Sequence, residues 1–115
     1  MIHELKTDNE PFQAVFIRTK TFEIRFNDRR FRVGDLLHLR ETFHTGSEMK
    51  HGAPLRYSGR EIVARVIGMM VGPVYGLADG WAILSIVMHE RRKSGRPFER
   101  EVLEAYENGT HGIND

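Results

Sequence analysis

A chain of 115 residues holds one domain, and at this length folding buries roughly two thirds of the surface the unfolded form exposes, enough for a core without covalent staples. The absence of cysteine excludes disulfides, thiolate zinc sites, iron–sulfur clusters and cysteine nucleophiles, and fits a reducing compartment. Seventeen basic against sixteen acidic residues give a net charge of +1, a total that makes no case for a polyanionic partner. Met1-Ile2-His3-Glu4-Leu5-Lys6 carries charges where a secretory leader needs an unbroken apolar run, and no later run reaches membrane-spanning length. The expectation is a soluble cytoplasmic protein with no membrane partner.

His3 to Lys6 reads as a short first strand. Asp8-Asn9-Glu10-Pro11 then supplies cap chemistry and a proline suited to a first helical turn. Phe12, Val15, Phe16 and Thr19 follow at the spacing of one helical face, so a short helix ending near Thr19 should lie on a sheet. From Thr21 the period changes to two. Phe22, Ile24 and Phe26 occupy one side and Thr21, Glu23 and Arg25 the other, a half-buried strand whose apolar side is expected in the core. Asn27-Asp28 turns the chain, Phe31 and Val33 continue the alternation, and Gly34-Asp35 marks a tight turn. Leu36 to Phe43 is the next strand, with Leu37 and Leu39 inward and His38 and Arg40 outward.

His44 to Ser58 holds two glycines, a proline and two histidines among few apolar residues and reads as a long exposed loop. Glu61 to Met70 is apolar on nearly both faces, which predicts a central strand. After the turn residues between Gly72 and Gly80, Trp81 to Met88 should pair with it. A basic linker, Arg91-Arg92-Lys93-Ser94-Gly95-Arg96, leads to helix signals from Pro97 to Asn108 with Phe98, Val102 and Tyr106 as an apolar stripe; the stripe packs on its own domain or, if exposed, becomes a homodimer contact. The order of elements points to an α+β fold: a compact curled sheet or small barrel plugged by helices, without the crossovers of a parallel doubly wound sheet.

Charge is unevenly placed. From Phe16 to Arg32 six basic residues (Arg18, Lys20, Arg25, Arg29, Arg30, Arg32) face two acidic ones, a local balance of +4, whereas the segment from Phe98 onward is acidic. Glu23 can accept from a base amino group, Arg25 can pair with a phosphate or carbonyl edge, and Lys20 can neutralise phosphate; neighbours on that strand face stand about 7 Å apart. Spacing alone fits equally a solvated face with a Glu23–Arg25 or cross-strand ion pair. Arg29, Arg30 and Arg32, with Arg40, Arg56, Arg60 and Arg65, read either as a phosphate track or as solubilising surface, and Tyr57, Tyr75 and Trp81 could stack bases, Trp81 also reading as core or cleft wall. The six histidines, at 3, 38, 44, 51, 89 and 111, include no pair at metal-binding spacing, so no metal or other cofactor is expected. No serine–histidine–aspartate arrangement supports acyl-enzyme chemistry.

His3-Glu4-Leu5-Lys6, Phe12, Lys20-Thr21-Phe22-Glu23-Ile24-Arg25, Asn27-Asp28-Arg29, Val33-Gly34-Asp35, Gly76-Leu77 and Gly80-Trp81-Ala82-Ile83-Leu84-Ser85-Ile86 together resemble a small ASCH-like family of unknown function in the PUA-like superfamily, over roughly residues 2 to 88. The resemblance implies a PUA-like small curled mixed β-barrel with a short helix after the first strand and an appended C-terminal helix. It places an ASCH/PUA-like domain at 1–90, with 44–58 as an exposed loop, and a basic linker, helix and tail at 91–115. The pattern's lysine, glutamate and arginine are met by Lys20, Glu23 and Arg25, while Arg18 stands where the pattern has glycine. The implied function is binding of RNA or a modified nucleotide in a cleft beside the first helix, through Lys20, Thr21, Glu23, Arg25, Arg29, Arg30 and Arg32. Related hydrolases act on acylated cytidine with a lysine, a threonine and a glutamate; here Lys20 matches, but Glu23 occupies the place of that threonine. A nucleoside amidohydrolase or ribonuclease using Lys20 and Glu23 is the enzymatic alternative, and a protein-interaction module acting through the terminal helix is the third.

Overall fold

The computed structural model of the chain describes residues 1–109. The tail that follows, with His111 and Asp115, lies outside the described residues. β1 (Ile2–Thr7) leads directly into α1 (Asn9–Phe16), whose Phe12, Val15 and Phe16 are buried as their spacing predicts, although Thr19 is exposed beyond the helix end. β2 (Phe22–Phe26) and β3 (Leu36–Thr42) follow, then α2 (Gly46–Lys50), the long β4 (Tyr57–Val71), β5 (Trp81–Arg92) and α3 (Arg100–Glu107). The strands form one five-stranded sheet in the order β1-β3-β4-β5-β2, with β1 parallel to β3 and every other pair antiparallel. The fold is a mixed α+β curled half-barrel.

β4 is central, as its two apolar faces predict, and β5 pairs along it with register shifts between Val63 and Ala64 and between Val66 and Gly68. Such bulges bend and twist a strand, which lets a long hairpin curl around a core. The inner face of the curl holds Leu5, Leu37, Leu39, Ile62, Ala64, Val66, Ala82, Leu84 and Ile86, closed by Phe12, Val15 and Phe16 of α1. A second, smaller core forms on the opposite face, where Phe98, Leu103 and Tyr106 cover Leu36 and Val63.

Several expectations are corrected. On β2 the alternation is real but its sense is reversed: Phe22, Ile24 and Phe26 are 38%, 50% and 53% exposed, while Glu23 is only 2% exposed. Glu23 and Arg25 pair with Leu84 and Ala82 and share their inner face, whereas Phe22, Ile24 and Phe26 lie on the outer face of an edge strand that α3 does not reach. His38 does not point to solvent; α3 and its approach cover that side of β3, and the His38 ring packs edge-on against Phe98 at 5.7 Å. Phe31 is buried as a loop residue and Val33 is exposed, so neither extends a strand. The segment expected as loop from His44 to Ser58 contains α2, closed by a capping box in which the Thr45 hydroxyl accepts from Glu48 N–H and the Glu48 carboxylate accepts from Thr45 N–H. β5 runs on to Arg92, so a boundary at residue 90 falls inside a strand, and α3 is integral to the fold rather than appended. Its apolar side is covered within the chain.

Candidate functional site

β1 and β2 are the two edges of the sheet, and in a curled sheet the edges approach each other. Here they stop short, leaving a seam spanned by side chains. Arg25 donates from Nη1 to the Lys6 carbonyl (3.0 Å) and from Nη2 to the Thr7 hydroxyl (2.8 Å), and Arg29 donates to the Glu4 carbonyl (2.9 Å). Both arginines therefore satisfy β1 groups that no neighbouring strand reaches.

Glu23 sits behind Arg25. Its Oε1 accepts from Arg25 Nε (3.2 Å) and Nη2 (2.9 Å), and Lys20 Nζ lies 3.1 Å from Oε2. A carboxylate of this burial requires such partners, because an unpaired buried charge is strongly unfavourable. A carboxylate offers about four acceptor positions, so three contacts leave about one available.

The turn that delivers Lys20 depends on Arg18, which adopts a left-handed φ of +66°. Thr19 and Lys20 N–H groups both donate to the Ala14 carbonyl and close the helix end. A left-handed conformation costs a non-glycine residue about 1–2 kcal/mol.

On one side of Arg25 opens a cleft of about 530 Å³, lined by Lys6, Thr7, Asp8, Pro11, Lys20, Glu23, Ile24, Arg25, Phe26, Gly46 and Trp81. On the other lies a hollow of about 430 Å³ lined by Glu4, Leu5, Lys6, Arg25, Phe26, Asp28, Arg29 and Phe31. The structure thus brings Lys20, Glu23 and Arg25 into one cleft beside α1 and sets Arg29 next to it. Thr21 lines a separate hollow of about 220 Å³ with Val15, Arg18 and Met88, and Arg30 and Arg32 are exposed outside all three. Lys6, Thr7 and Asp8 join the site although the sequence marks Lys6 only as part of a strand and Asp8 only as a helix cap. They stand at the β1–α1 junction, and no local pattern ties them to a strand that begins fifteen residues later.

The wider set of arginines serves the fold. Arg60 binds Glu41 through Nε (2.8 Å) and Nη2 (2.7 Å), and Glu41 also accepts from Ser58 (2.5 Å) and Asn9 (2.6 Å). Burial pushes the Glu41 carboxyl up, but the hydrogen bonds from Arg60, Ser58 and Asn9 outweigh it and hold the group below the usual carboxylate range. The Arg40 guanidinium lies 3.7 Å from the centre of the Tyr57 ring, Arg56 lies over Phe43, and Arg65 donates to the Gly34 and Tyr106 carbonyls. Tyr57 is accordingly covered, whereas Tyr75 is 94% exposed and Trp81 is a cleft wall.

A second polar cluster lies under α3. Glu61 accepts from Phe98 N–H at 3.1 Å and makes a short contact with His38, while the other ring nitrogen of His38 is 3.7 Å from Glu4. Burial raises the Glu61 carboxyl, yet the His38 and Phe98 hydrogen bonds bring it below the usual range. Among the described residues no group of three or more His, Asp or Glu side chains could hold a metal ion, and no helix is long and apolar enough to cross a membrane.

Fold and site together define an α+β half-barrel module with an ion-paired cleft at its open seam. Residues 2–86 match the family described as a domain of unknown function, DUF3850, and the chain belongs to that family. No curated protein matches the chain.

Proposed function

We propose that this protein is an RNA- or nucleotide-binding module of ASCH-like, PUA-like type, with its ligand in the cleft between α1 and the β2 edge. The observation that carries the reading is the placement of Lys20, Glu23 and Arg25 in a concave cleft rather than on a flat solvated face. A volume of about 530 Å³ lies within the range of small-ligand sites and suits a nucleoside. The remaining acceptor position on Glu23 suits a base amino group, and Lys6 and Lys20 at the rim suit phosphate. Arg29 extends the cationic side of the seam into the neighbouring hollow, while Arg30 and Arg32 can meet a longer backbone only outside both.

The test is anisotropy of labelled RNA across a salt series, with Lys6→Glu and Lys20→Ala beside the wild type. Binding should weaken steeply with salt, and each lost phosphate contact should lower the log–log slope by about 0.7. No binding at low salt, or slopes unchanged in both variants, overturns the reading.

One observation favours a second reading. The Thr7 hydroxyl joins Glu23 through Arg25 Nη2, so the cleft contains a lysine, a glutamate and a hydroxyl although β2 itself carries no threonine beside Glu23. A nucleoside amidohydrolase predicts turnover of acylated nucleosides by the pure protein, lost in Lys20→Ala and in Glu23→Gln. Ribonuclease activity is scored in the same variants with RNA as substrate. Turnover that persists in both variants removes these residues from any such role.

A further inference from the structure

The mouth of the cleft is built from a strand edge and two aromatic rings. Two backbone bonds set the phase of β2: Ile86 N–H donates to the Thr21 carbonyl at 3.0 Å, and Asn27 N–H donates to the Gly80 carbonyl at 2.8 Å. In an antiparallel pair, alternate residues exchange bonds with the partner, so positions 21, 23, 25 and 27 face β5. The N–H and C=O groups of Phe22, Ile24 and Phe26 are therefore directed to the free edge. Because inward residues Glu23 and Arg25 and outward residues Ile24 and Phe26 all line the same cleft, this edge forms its wall.

Beside that wall stand Phe26, 53% exposed, and Trp81, 41% exposed, edge to face at 5.8 Å. Phe26 lies close over Gly80, where an added Cβ would fall 2.6 Å from its Cε2, so the ring is seated on bare backbone. Two large aromatic side chains at a cationic cleft rim, next to unpaired backbone donors and acceptors, match the face and the edge of an unpaired nucleobase.

We propose that Phe26 and Trp81 form a stacking subsite for a base adjacent to the one held in the cleft, so that the ligand is a single-stranded oligonucleotide rather than a mononucleotide or a duplex. This rests on the nucleic-acid reading of the cleft. Charge favours this occupant over an apolar protein surface, since Lys6, Lys20 and Arg25 outnumber Asp8 and Glu23 in the lining the rings share, and Lys6 adds a cation beyond the Glu23 ion pairs. A duplex buries the base faces and edges that the subsite needs.

Trp81 is the sole tryptophan, which makes its emission a direct report on the subsite. A short single-stranded RNA should quench it, and a blunt duplex of the same sequence should not. Labelled-oligonucleotide anisotropy with Phe26→Ala, Trp81→Ala and Trp81→Leu completes the test. Stacking contributes enough that each variant should weaken oligonucleotide binding roughly tenfold, with a clearly smaller loss for a mononucleotide measured by calorimetry, because both rings also line the cleft. Trp81→Leu keeps apolar bulk and loses the π face, so it should behave like alanine. Wild-type oligonucleotide affinity in the three variants overturns the subsite while leaving the cleft reading standing, provided Lys20→Ala still weakens binding. Absence of binding by wild type to both oligonucleotide and mononucleotide overturns both. If Trp81→Ala instead abolishes a concentration-dependent self-association that Trp81→Leu preserves, the rings belong to a contact between copies and the subsite is refuted.

Discussion

Replacing Arg25 by alanine removes four hydrogen bonds at once, two to Glu23, one to the Thr7 hydroxyl and one to the Lys6 carbonyl. Removing one partner of a fully enclosed ion pair costs about 3–5 kcal/mol because the other charge is left buried and alone. Two features lower that figure. The Arg25 side chain retains 22% exposure, and Lys20 still lies 3.1 Å from the second oxygen of Glu23. The loss should therefore be about 2–3 kcal/mol, discounting for solvent screening. At roughly 4 °C per kcal/mol for a domain of this size, Tm should fall by about 8–12 °C. Lys20→Ala removes one contact from a side chain that is 18% exposed, and should cost about 1 kcal/mol or less. Urea unfolding followed by circular dichroism, in Glu23→Ala, Arg25→Ala and the double variant, gives the coupling directly; about 1.5–2.5 kcal/mol is expected. Stability of Arg25→Ala within about 0.5 kcal/mol of wild type, or strict additivity in the cycle, would refute the claim that this pair closes the seam. The comparison also bears on function. Arg25 is a strut, so its loss weakens ligand binding by disturbing the cleft, whereas Lys20→Ala tests contact with little disturbance.

Glu41→Ala leaves Arg60, Ser58 and Asn9 without their shared acceptor and should cost about 3 kcal/mol, measured by denaturant unfolding. The folded-state pKa values of Glu41 and Glu61 both lie below the ordinary value of 4.5, so their contribution is fully present above pH 4.5 and is lost as pH falls through the folded values. Glu41→Gln and Glu61→Gln should each flatten the acid limb of a Tm-against-pH curve, and an unchanged limb in both contradicts the assignment. Deleting residues 97–115 uncovers Leu36, Val63, His38 and Glu61 and should abolish cooperative unfolding rather than release an intact core, a result read by calorimetry. Arg18→Gly relieves a left-handed φ of +66° and should raise stability by roughly 1 kcal/mol, whereas a loss would show that the Arg18 side chain stabilises the turn.

Much of the architecture is legible in the residues. Period-3.6 spacing in α1, the doubly apolar β4 and the turn residues before β5 each report a local fact that survives folding, because burial on a helix face or in a central strand is written into successive side chains. Glu23 and Arg25 come together as their two-residue spacing allows, with the ion pair that spacing suggested, and Lys20 joins them from the strand's entry, whereas Thr21, in phase with them, lines another hollow. The phosphate track is not legible in the same way: whether an arginine meets solvent or a carboxylate is decided by partners such as Glu41, nineteen residues from Arg60.

By itself the sequence determined that β2 alternates and that one side is apolar and the other ionic. Only the tertiary structure decided which side is buried. Period two carries no sign, and hydrophobicity assigns the wrong one here. β2 is an edge strand whose outer face receives no covering helix, while its inner face meets Thr7 and the Lys6 carbonyl across the open seam. There the charges of Lys20, Glu23 and Arg25 satisfy one another, so the ionic side turns inward and the aromatic side is left at the mouth of the cleft.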